Sequence, residues 1–255
     1  FSTRASLRWS ARNAVGFDAL TPTLAKHVES RLGRDCVTIL PVAAPTGVPG
    51  SIDPAVRAEL PGEPFALYTG HVHPAREDDF RIGLEAVAEV RRRGHPLSFV
   101  HAGGLSARRE PAQMVADAGL EPDHVRFLGY LPFAGVPALL RAAAVLVQPD
   151  RGSELNRLCL PSKLQAYLAS GTPTVTFAVG SGKLLEDRVE VLKTHSPGPA
   201  ELADRVEEVL ASPDLEATLR EGGPAAARRL FDTERNTRAM IEHYRTVAEP
   251  GTSAQ

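Results

Sequence analysis

The sequence predicts an α/β protein with a doubly wound parallel sheet, followed by C-terminal helices. Short apolar strands alternate with helices of about ten to fifteen residues over most of the chain, which is typical of such a sheet. Glycine and proline mark many boundaries between these segments. The end of the chain, from residue 199, is helical, with Leu202, Val206 and Val209 at helical spacing.

The segment before the sheet is read as helix and strand in alternation. Helices are predicted over 4–14 and 21–33 and strands over 16–20 and 36–42. Thr21 is a plausible N-cap for the second helix, and Gly33 ends it. Residues 43–64 are dense in proline and glycine, so we predict a linker there and place a domain boundary within it.

The regular pattern begins after this linker. Predicted strands cover 65–70, 97–104, 124–131, 145–149, 172–179 and, as a short sixth strand, 189–194. Predicted helices cover 78–93, 107–119, 134–144, 161–170 and 199–211, and two more helices follow. Within helix 161–170, Leu164, Tyr167 and Leu168 have the spacing of core residues.

Composition narrows the function classes. The formal net charge is -2, from 29 basic and 31 acidic residues, so no overall basic field favours nucleic acid. No apolar run approaches the length of a transmembrane segment. Cys36 and Cys159 are far apart, form no metal spacing and favour a reducing compartment. We therefore expect a cytoplasmic protein without a metal site. Whether a part of the protein outside this sequence attaches it peripherally to a membrane stays open.

Ligands of open α/β sheets bind outside the carboxyl ends of the strands, so the segments after the strands are the candidate site. These segments are 70–76, 102–104, 129–132, 150–154 and 180–183. Glycines recur in them, where the backbone must turn or approach a ligand closely. Neither the dinucleotide fingerprint GxGxxG nor the P-loop pattern follows the first strand.

Four stretches in this order resemble the C-terminal domain of GT-B glycosyltransferases of the group 1 family. They are LYTGHVHPAR, DHVRFLGYLP, LLRAAAVLVQPD and NRLCLPSKLQAYLASGTPTV, and the last is the most specific. The resemblance implies a Rossmann-like, nucleotide-sugar-binding domain over 48–230. It also implies a remnant of the N-terminal acceptor-side domain over 1–47 and a C-terminal helix over 231–255.

The resemblance further implies where a nucleotide-diphosphate sugar would bind. Arg76 and Lys163 would neutralise the diphosphate, and the turn at 129–132 would meet the base through backbone groups. The loop 150–157 would face the sugar, and the N-terminus of helix 161–170 would offer N–H groups. The candidate donor-binding residues are Gly70, His71, Arg76, Gly129, Tyr130, Leu131, Pro132, Glu154, Asn156, Arg157, Ser162, Lys163 and Gln165. No metal or other cofactor is implied, and the catalytic residues and the acceptor stay unknown.

One departure from the family pattern bears on activity. The family carries a ribose-binding Glu where this chain has Ala166, and a second Glu where it has Leu158. From the resemblance, the first hypothesis is a retaining glycosyltransferase whose acceptor-side half is missing or belongs to a partner chain. The alternative is a degenerate, non-catalytic nucleotide-sugar-binding or partner subunit. A third reading, a nucleotide-binding domain such as an epimerase, requires a glycine fingerprint that is absent.

The individual side chains also have simpler interpretations. Arg76 could be a solvated loop residue, and Lys163 an exposed lysine in a helix first turn, where a cation opposes the helix dipole. His71 could be a turn residue, and Glu154 a surface carboxylate.

Overall fold

A six-stranded parallel sheet forms the centre of the protein, for which a computed structural model describes residues 6, 9, 11–41, 51–149 and 151–248. The strands of the chain are β1 (Asp18–Ala19), β2 (Val37–Thr38), β3 (Phe65–Thr69), β4 (Ser98–Ala102), β5 (Val125–Phe127), β6 (Val145–Val147), β7 (Thr174–Phe177) and β8 (Leu192–Thr194). The central sheet has the order β5-β4-β3-β6-β7-β8, and all of its pairs are parallel. The predicted fold class is confirmed.

Helices cover both faces of the sheet. They are α1 (Pro22–Leu32), α2 (Pro54–Glu59), α3 (Glu77–Arg92), α4 (Pro111–Asp117), α5 (Val136–Ala142), α6 (Glu154–Leu158), α7 (Ser162–Ser170), α8 (Pro199–Ala211), α9 (Pro213–Leu230) and α10 (Thr233–Ala248). Short 3-10 turns lie at Pro122–His124, Phe133–Gly135 and Gly180–Leu184. In the part of the chain described, no helix combines the length and the apolar character needed to cross a membrane.

Two cores, one on each face of the sheet, explain why strands such as β3 and β6 are apolar along most of their length. One core joins the sheet to α3 and α8, with Phe80 and Val206 among its members. The other joins the opposite face to α5 and α7, with Leu139 and Tyr167 among its members. Because both faces are covered, β4 is buried at every position, as expected for a strand of a parallel sheet.

The strand order defines where the chain reverses its direction of winding. From β3 the chain builds outward through β4 and β5, then returns and builds through β6, β7 and β8 on the other side. The switch point therefore lies between β3 and β6. Ligands of doubly wound sheets bind at the carboxyl ends of the strands beside such a point.

Two predicted irregular segments contain helices, which corrects the sequence interpretation. The predicted linker over 43–64 includes α2, which Asp53 caps by accepting from Ala55 N and which begins at Pro54. The loop predicted over 150–157 includes α6, which Ser153 caps by accepting from Asn156 N at 3.2 Å. In both cases an N-cap residue starts a short helix. The glycine, proline and polar residues around it made the segment resemble a loop.

Other predicted elements have shorter bounds than the pattern suggested. The helix predicted over 107–119 begins only at Pro111, and the strand predicted over 124–131 has ended before Gly129. Much of the helix predicted over 4–14, and residues 42–50, 150 and 249–255, lie outside the described residues. The predicted domain boundary at 47/48 falls among them, so the division into 1–47, 48–230 and 231–255 stays a prediction.

The segments at both ends of the chain contact each other and the central domain. β1 and β2 form a separate two-stranded parallel sheet. Thr21 Oγ1, at the start of α1, donates a hydrogen bond to Leu158 O at the end of α6. Asn236, in α10, donates from Nδ2 to Pro41 O at 3.0 Å and to Leu230 O at 2.9 Å. These contacts attach the N-terminal segment to α6 and to the last helix.

Candidate functional site

A hydrogen bond between α7 and β3 sets the position of the candidate site. The Thr69 backbone N–H, at the carboxyl end of β3, donates to the Tyr167 hydroxyl at 2.7 Å. Tyr167 is fully buried, and burial raises the pKa of its hydroxyl to about 12, so the group stays protonated. The first turn of α7, which carries Lys163, is thereby held beside Gly70 at the switch point.

Lys163 lies at the bottom of this crevice. Its Nζ is 3.3 Å from the centroid of the Tyr68 ring, and a Cβ at Gly70 would lie 3.5 Å from the same atom. Burial lowers the pKa of Lys163 well below 10.5, and the nearby charge of Arg76 lowers it further. Among the residues that the structure describes, no acceptor lies within hydrogen-bond distance of Nζ. An anion in the crevice would supply the missing counter-charge.

Arg76 stands at the other side of the crevice, immediately before α3. Its Nη1 donates to Asp79 Oδ2 at 3.2 Å and also to Asn156 Oδ1. Asn156 Nδ2 donates to the same carboxylate oxygen at 3.1 Å. The other oxygen, Asp79 Oδ1, accepts from the Arg151 backbone N–H at 3.0 Å. These bonds join the start of α3 to α6 and to Arg151 in the segment ahead of α6.

Close backbone contacts shape the floor between β3 and β4. Gly103 has φ 145°, and a Cβ there would lie 2.3 Å from Gly70 O. The buried His101 ring donates from Nε2 to Gly70 O at 2.9 Å. Its Nδ1 therefore carries no proton, and this buried atom has no hydrogen-bond partner among the described residues. The Gly70 carbonyl is thus fixed by His101 and packed closely against Gly103.

His71 and Tyr130 form a polar, aromatic wall at the same edge. His71 Nδ1 lies 3.0 Å from the Tyr130 hydroxyl, and its Nε2 lies 2.7 Å from Ser106 Oγ. Gly104 makes room for this pair, because a Cβ there would lie 2.5 Å from both His71 Nδ1 and the Tyr130 hydroxyl. Tyr130 is 77% exposed, so it keeps ample surface for contact with a ligand.

The turn over 129–132 follows β5. Gly129 has φ 63°, and its carbonyl accepts from Gly103 N at 2.7 Å, which fixes the turn to the floor of the crevice. Leu131 packs against the core under α5, and Pro132 directly precedes a 3-10 turn. A cavity of about 380 Å³ separates Leu131 and Pro132 from residues 51–56.

The residues predicted to face a sugar are only partly brought into this crevice. Asn156 is within it, while Glu154 and Arg157 are exposed on α6. α6 is held close to the loop after β7, since a Cβ at Gly180 would lie 2.5 Å from Asn156 O. Ser162 is exposed in the first turn of α7, whereas Gln165 is buried in the second. The roles assigned to these residues stay predictions.

Sequence reasoning missed Asp79 and Ser106. Asp79 occurs in the acidic run that opens α3, and acidic residues are common there because they complement the helix dipole. Its burial and its partners in a distant segment have no local signal. Ser106 follows β4 outside any motif. Among the described residues, no cluster of His, Cys, Asp or Glu is arranged to hold a metal ion.

The family model described as "Glycosyl transferases group 1" matches residues 63–212, more than half of the chain. The chain belongs to this family. The match covers the whole central sheet and the crevice at its carboxyl edge. The resemblance that the sequence motifs indicated is therefore confirmed at the level of the family.

Relatives of this glycosyltransferase domain include two proteins of Streptomyces kanamyceticus. The chain is 32% identical to a 2-deoxystreptamine glucosyltransferase of Streptomyces kanamyceticus, over 81% of this chain and 54% of the relative. It is 30% identical to an alpha-D-kanosaminyltransferase of the same organism, over 67% of this chain and 43% of the relative. The chain thus spans about half the length of these relatives.

Solved structures confirm the GT-B type of fold. Anabaena HepE in complex with UDP and glucose aligns with a TM-score of 0.76 at 18% identity, over 96% of this chain and 68% of HepE. Sucrose-phosphate synthase from Thermosynechococcus elongatus aligns with a TM-score of 0.71 at 21% identity, over 97% of this chain and 63% of the synthase. At these identities the likeness concerns the fold alone.

Proposed function

We propose that this chain is the donor-binding half of a glycosyltransferase that moves a sugar from a nucleotide-diphosphate sugar to an acceptor with retention. One observation carries the proposal: Lys163 and Arg76 share the switch-point crevice, and Asp79 is the buried carboxylate beside them among the residues that the structure describes. A diphosphate would supply the negative charge that favours the cationic form of Lys163 beside Arg76. The family membership and the UDP bound to HepE support a nucleoside diphosphate as the anion.

Each part of the crevice has a task in this proposal. Arg76 and Lys163 donate charge-assisted hydrogen bonds to the diphosphate and stabilise it as it leaves the sugar. The first turn of α7, which has no side-chain N-cap among the described residues, adds backbone N–H groups such as that of Ser162. The turn over 129–132 and the His71–Tyr130 wall receive the nucleoside, and α6 with Asn156 lies towards the sugar. This arrangement needs no metal ion, because cationic side chains and a helix end supply the positive charge.

The acceptor and the opposite wall of the cleft come from elsewhere in this proposal. The aligned part of the chain covers only 54% and 43% of the two Streptomyces kanamyceticus relatives, and GT-B sites lie between two domains. We therefore expect the chain alone to bind the donor without turning it over. An N-terminal domain, or a partner chain that replaces it, would supply the group that orients the acceptor.

A non-catalytic binding or partner subunit is the second candidate. Ala166 and Leu158 favour it, because they occupy the positions where the resemblance implies two glutamates. Ala166 is partly buried against the core under α5 and has no polar atom to offer a ribose. Both candidates bind a nucleotide sugar, so they differ only in turnover.

A thermal-shift panel of UDP, GDP, UDP-sugars and GDP-sugars tests the shared part of the proposal. A ligand present at about 100 times its dissociation constant stabilises the folded state by about 2.7 kcal/mol. We expect a shift with one nucleotide family and its loss in Arg76→Ala. Arg141→Ala, on an exposed position of α5, is the matched control and should keep the shift. No shift with any of these ligands would overturn the proposal.

Turnover separates the two candidates. A chimera that joins this chain to the N-terminal domain of a group 1 relative should release nucleoside diphosphate from the bound donor if the site is catalytic. Binding without release, in a chimera that folds, would favour the non-catalytic subunit. Restoring the carboxylate by Ala166→Glu should then raise donor affinity.

A further inference from the structure

Asp79 is the best-connected buried carboxylate in the described part of the candidate site. It is 2% exposed and accepts from Arg76 Nη1, Asn156 Nδ2 and the Arg151 backbone N–H. A buried carboxylate is tolerated only when such donors pair with it. The donors come from two segments about 75 residues apart in sequence. These hydrogen bonds therefore connect separate segments of the site and do more than stabilise the start of α3.

The hydrogen bonds of Arg76 are confined to one end of its guanidinium group. Nη1 makes both bonds, to Asp79 and to Asn156. Among the residues described, Nε and Nη2 have no acceptor, and the side chain is 21% exposed. A guanidinium group carries five donors in a fixed plane. Anchoring at Nη1 thus leaves the edge formed by Nε and Nη2 for two oxygens of a ligand.

We propose that Asp79 is the positioning residue of this site: it holds Arg76 and Asn156 as one unit, so that Arg76 presents its free edge to the donor diphosphate. This inference rests on the proposed function. Asp79 acts through Arg76 and does not touch the ligand. Because its second oxygen binds the Arg151 N–H, the same carboxylate ties the segment ahead of α6 to the diphosphate side of the crevice.

Charge and positioning predict opposite effects of removing this carboxylate. Asp79→Asn deletes a negative charge beside two cations, so electrostatics alone would strengthen the binding of an anion. Positioning predicts weaker binding, because an amide cannot accept from Arg76 and Asn156 in the same way. Asp79 also raises the pKa of Lys163, so its removal weakens anion binding through that lysine as well. A weakening of binding that disappears in an Arg76→Ala background therefore decides for positioning.

The test is calorimetric titration of the full chain with UDP and with GDP, each compared with its nucleoside. We expect Asp79→Asn to weaken diphosphate binding about tenfold or more and to leave nucleoside binding unchanged. In an Arg76→Ala background the same substitution should have little further effect. Asp78→Asn removes the same charge one residue earlier, on a more exposed side chain, and should stay close to the unsubstituted protein.

Equal or tighter diphosphate binding by Asp79→Asn would overturn the positioning role, and so would an undiminished loss in the Arg76→Ala background. If Asp79→Asn does not fold, Asn156→Ser decides instead. It keeps the carboxylate but removes the Nδ2 bond, and it should weaken diphosphate binding without affecting the nucleoside. Failure of the unsubstituted chain to bind UDP or GDP would overturn the proposed function, and this inference with it.

Discussion

Lys163 Nζ lies 3.3 Å from the centroid of the Tyr68 ring. Among the described residues, no carboxylate lies within bonding distance of this nitrogen, so the lysine contacts the electron-rich face of the ring instead. Burial and the charge of Arg76 keep the pKa of Lys163 well below 10.5. A bound diphosphate favours the ammonium form. Protonation of Lys163 and ligand binding are thus coupled.

We expect diphosphate binding to take up protons. Between the lowered pKa of the free protein and the higher pKa of the complex, Lys163 is neutral when free and charged when bound. Affinity should accordingly fall as the pH rises through this window. Calorimetry in two buffers of different ionisation enthalpy, repeated across a series of pH values, measures the uptake. Lys163→Met should abolish this component, and equal uptake in that variant would contradict the coupling.

Gly103 is expected to tolerate no side chain. Gly103→Ala would place a Cβ 2.3 Å from Gly70 O in addition to the strain of φ 145°. We expect the free energy of unfolding to fall by about 2 kcal/mol or more. Gly119→Ala is the control, since Gly119 has φ 77° but nothing within 4 Å of its added Cβ. Urea unfolding compares the two, and equal losses would show that the contact with Gly70 is unimportant.

His101 should make the stability depend on pH in a defined direction. Burial lowers its pKa below the ordinary value of 6.5, so the unfolded chain takes up a proton before the folded one does. The contribution of His101 to the free energy of unfolding is fully present above pH 6.5. It decreases as the pH falls towards the pKa of His101 in the folded state.

Urea unfolding at about pH 7.5 and about pH 5.5 measures this dependence. His101→Gln should reduce the difference in unfolding free energy between the two conditions. His73→Gln, at an exposed position, should leave it unchanged. A pH dependence that is identical in the His101 variant would place its origin in other groups.

Asn236 connects the last helix to the N-terminal segment. Its Nδ2 donates to both Pro41 O and Leu230 O, so Asn236→Ala should lower the free energy of unfolding by about 1–3 kcal/mol. Asn236→Asp places a carboxylate against two carbonyl oxygens, so it should lower the free energy of unfolding further than Asn236→Ala does. Limited proteolysis near residue 41 should accelerate in both variants, and unchanged cleavage would contradict the connecting role.

The periodicity of the sequence was sufficient to predict the fold class. Local composition was insufficient to predict the short helices. Buried strands such as β3 and β6 are largely apolar runs, and their alternation with helices is characteristic of a parallel sheet covered on both faces. α2 and α6 were missed because each is a single short helix whose N-cap lies in a segment dominated by glycine, proline or polar residues. Short helices provide too few residues for a periodic pattern.

The candidate site divides in the same way. Arg76 and Lys163 could be found because they stand in recognisable motifs at the carboxyl ends of strands. The role of Asp79 depends on Asn156 and Arg151, which are distant in sequence and close only after folding. Gly104 shows its importance only through the two side chains that would collide with a Cβ. Such relations have no signature in a single sequence.

The crevice between β3 and β6 is proposed to bind the diphosphate of a nucleotide sugar. Equilibrium titration of the full chain with UDP and GDP, alongside uridine and guanosine, tests this binding most directly. We predict saturable binding of at least one diphosphate, tighter than its nucleoside, and a loss of about tenfold or more in Arg76→Ala. Absence of binding by either diphosphate, or equal affinity for nucleoside and diphosphate, would contradict it.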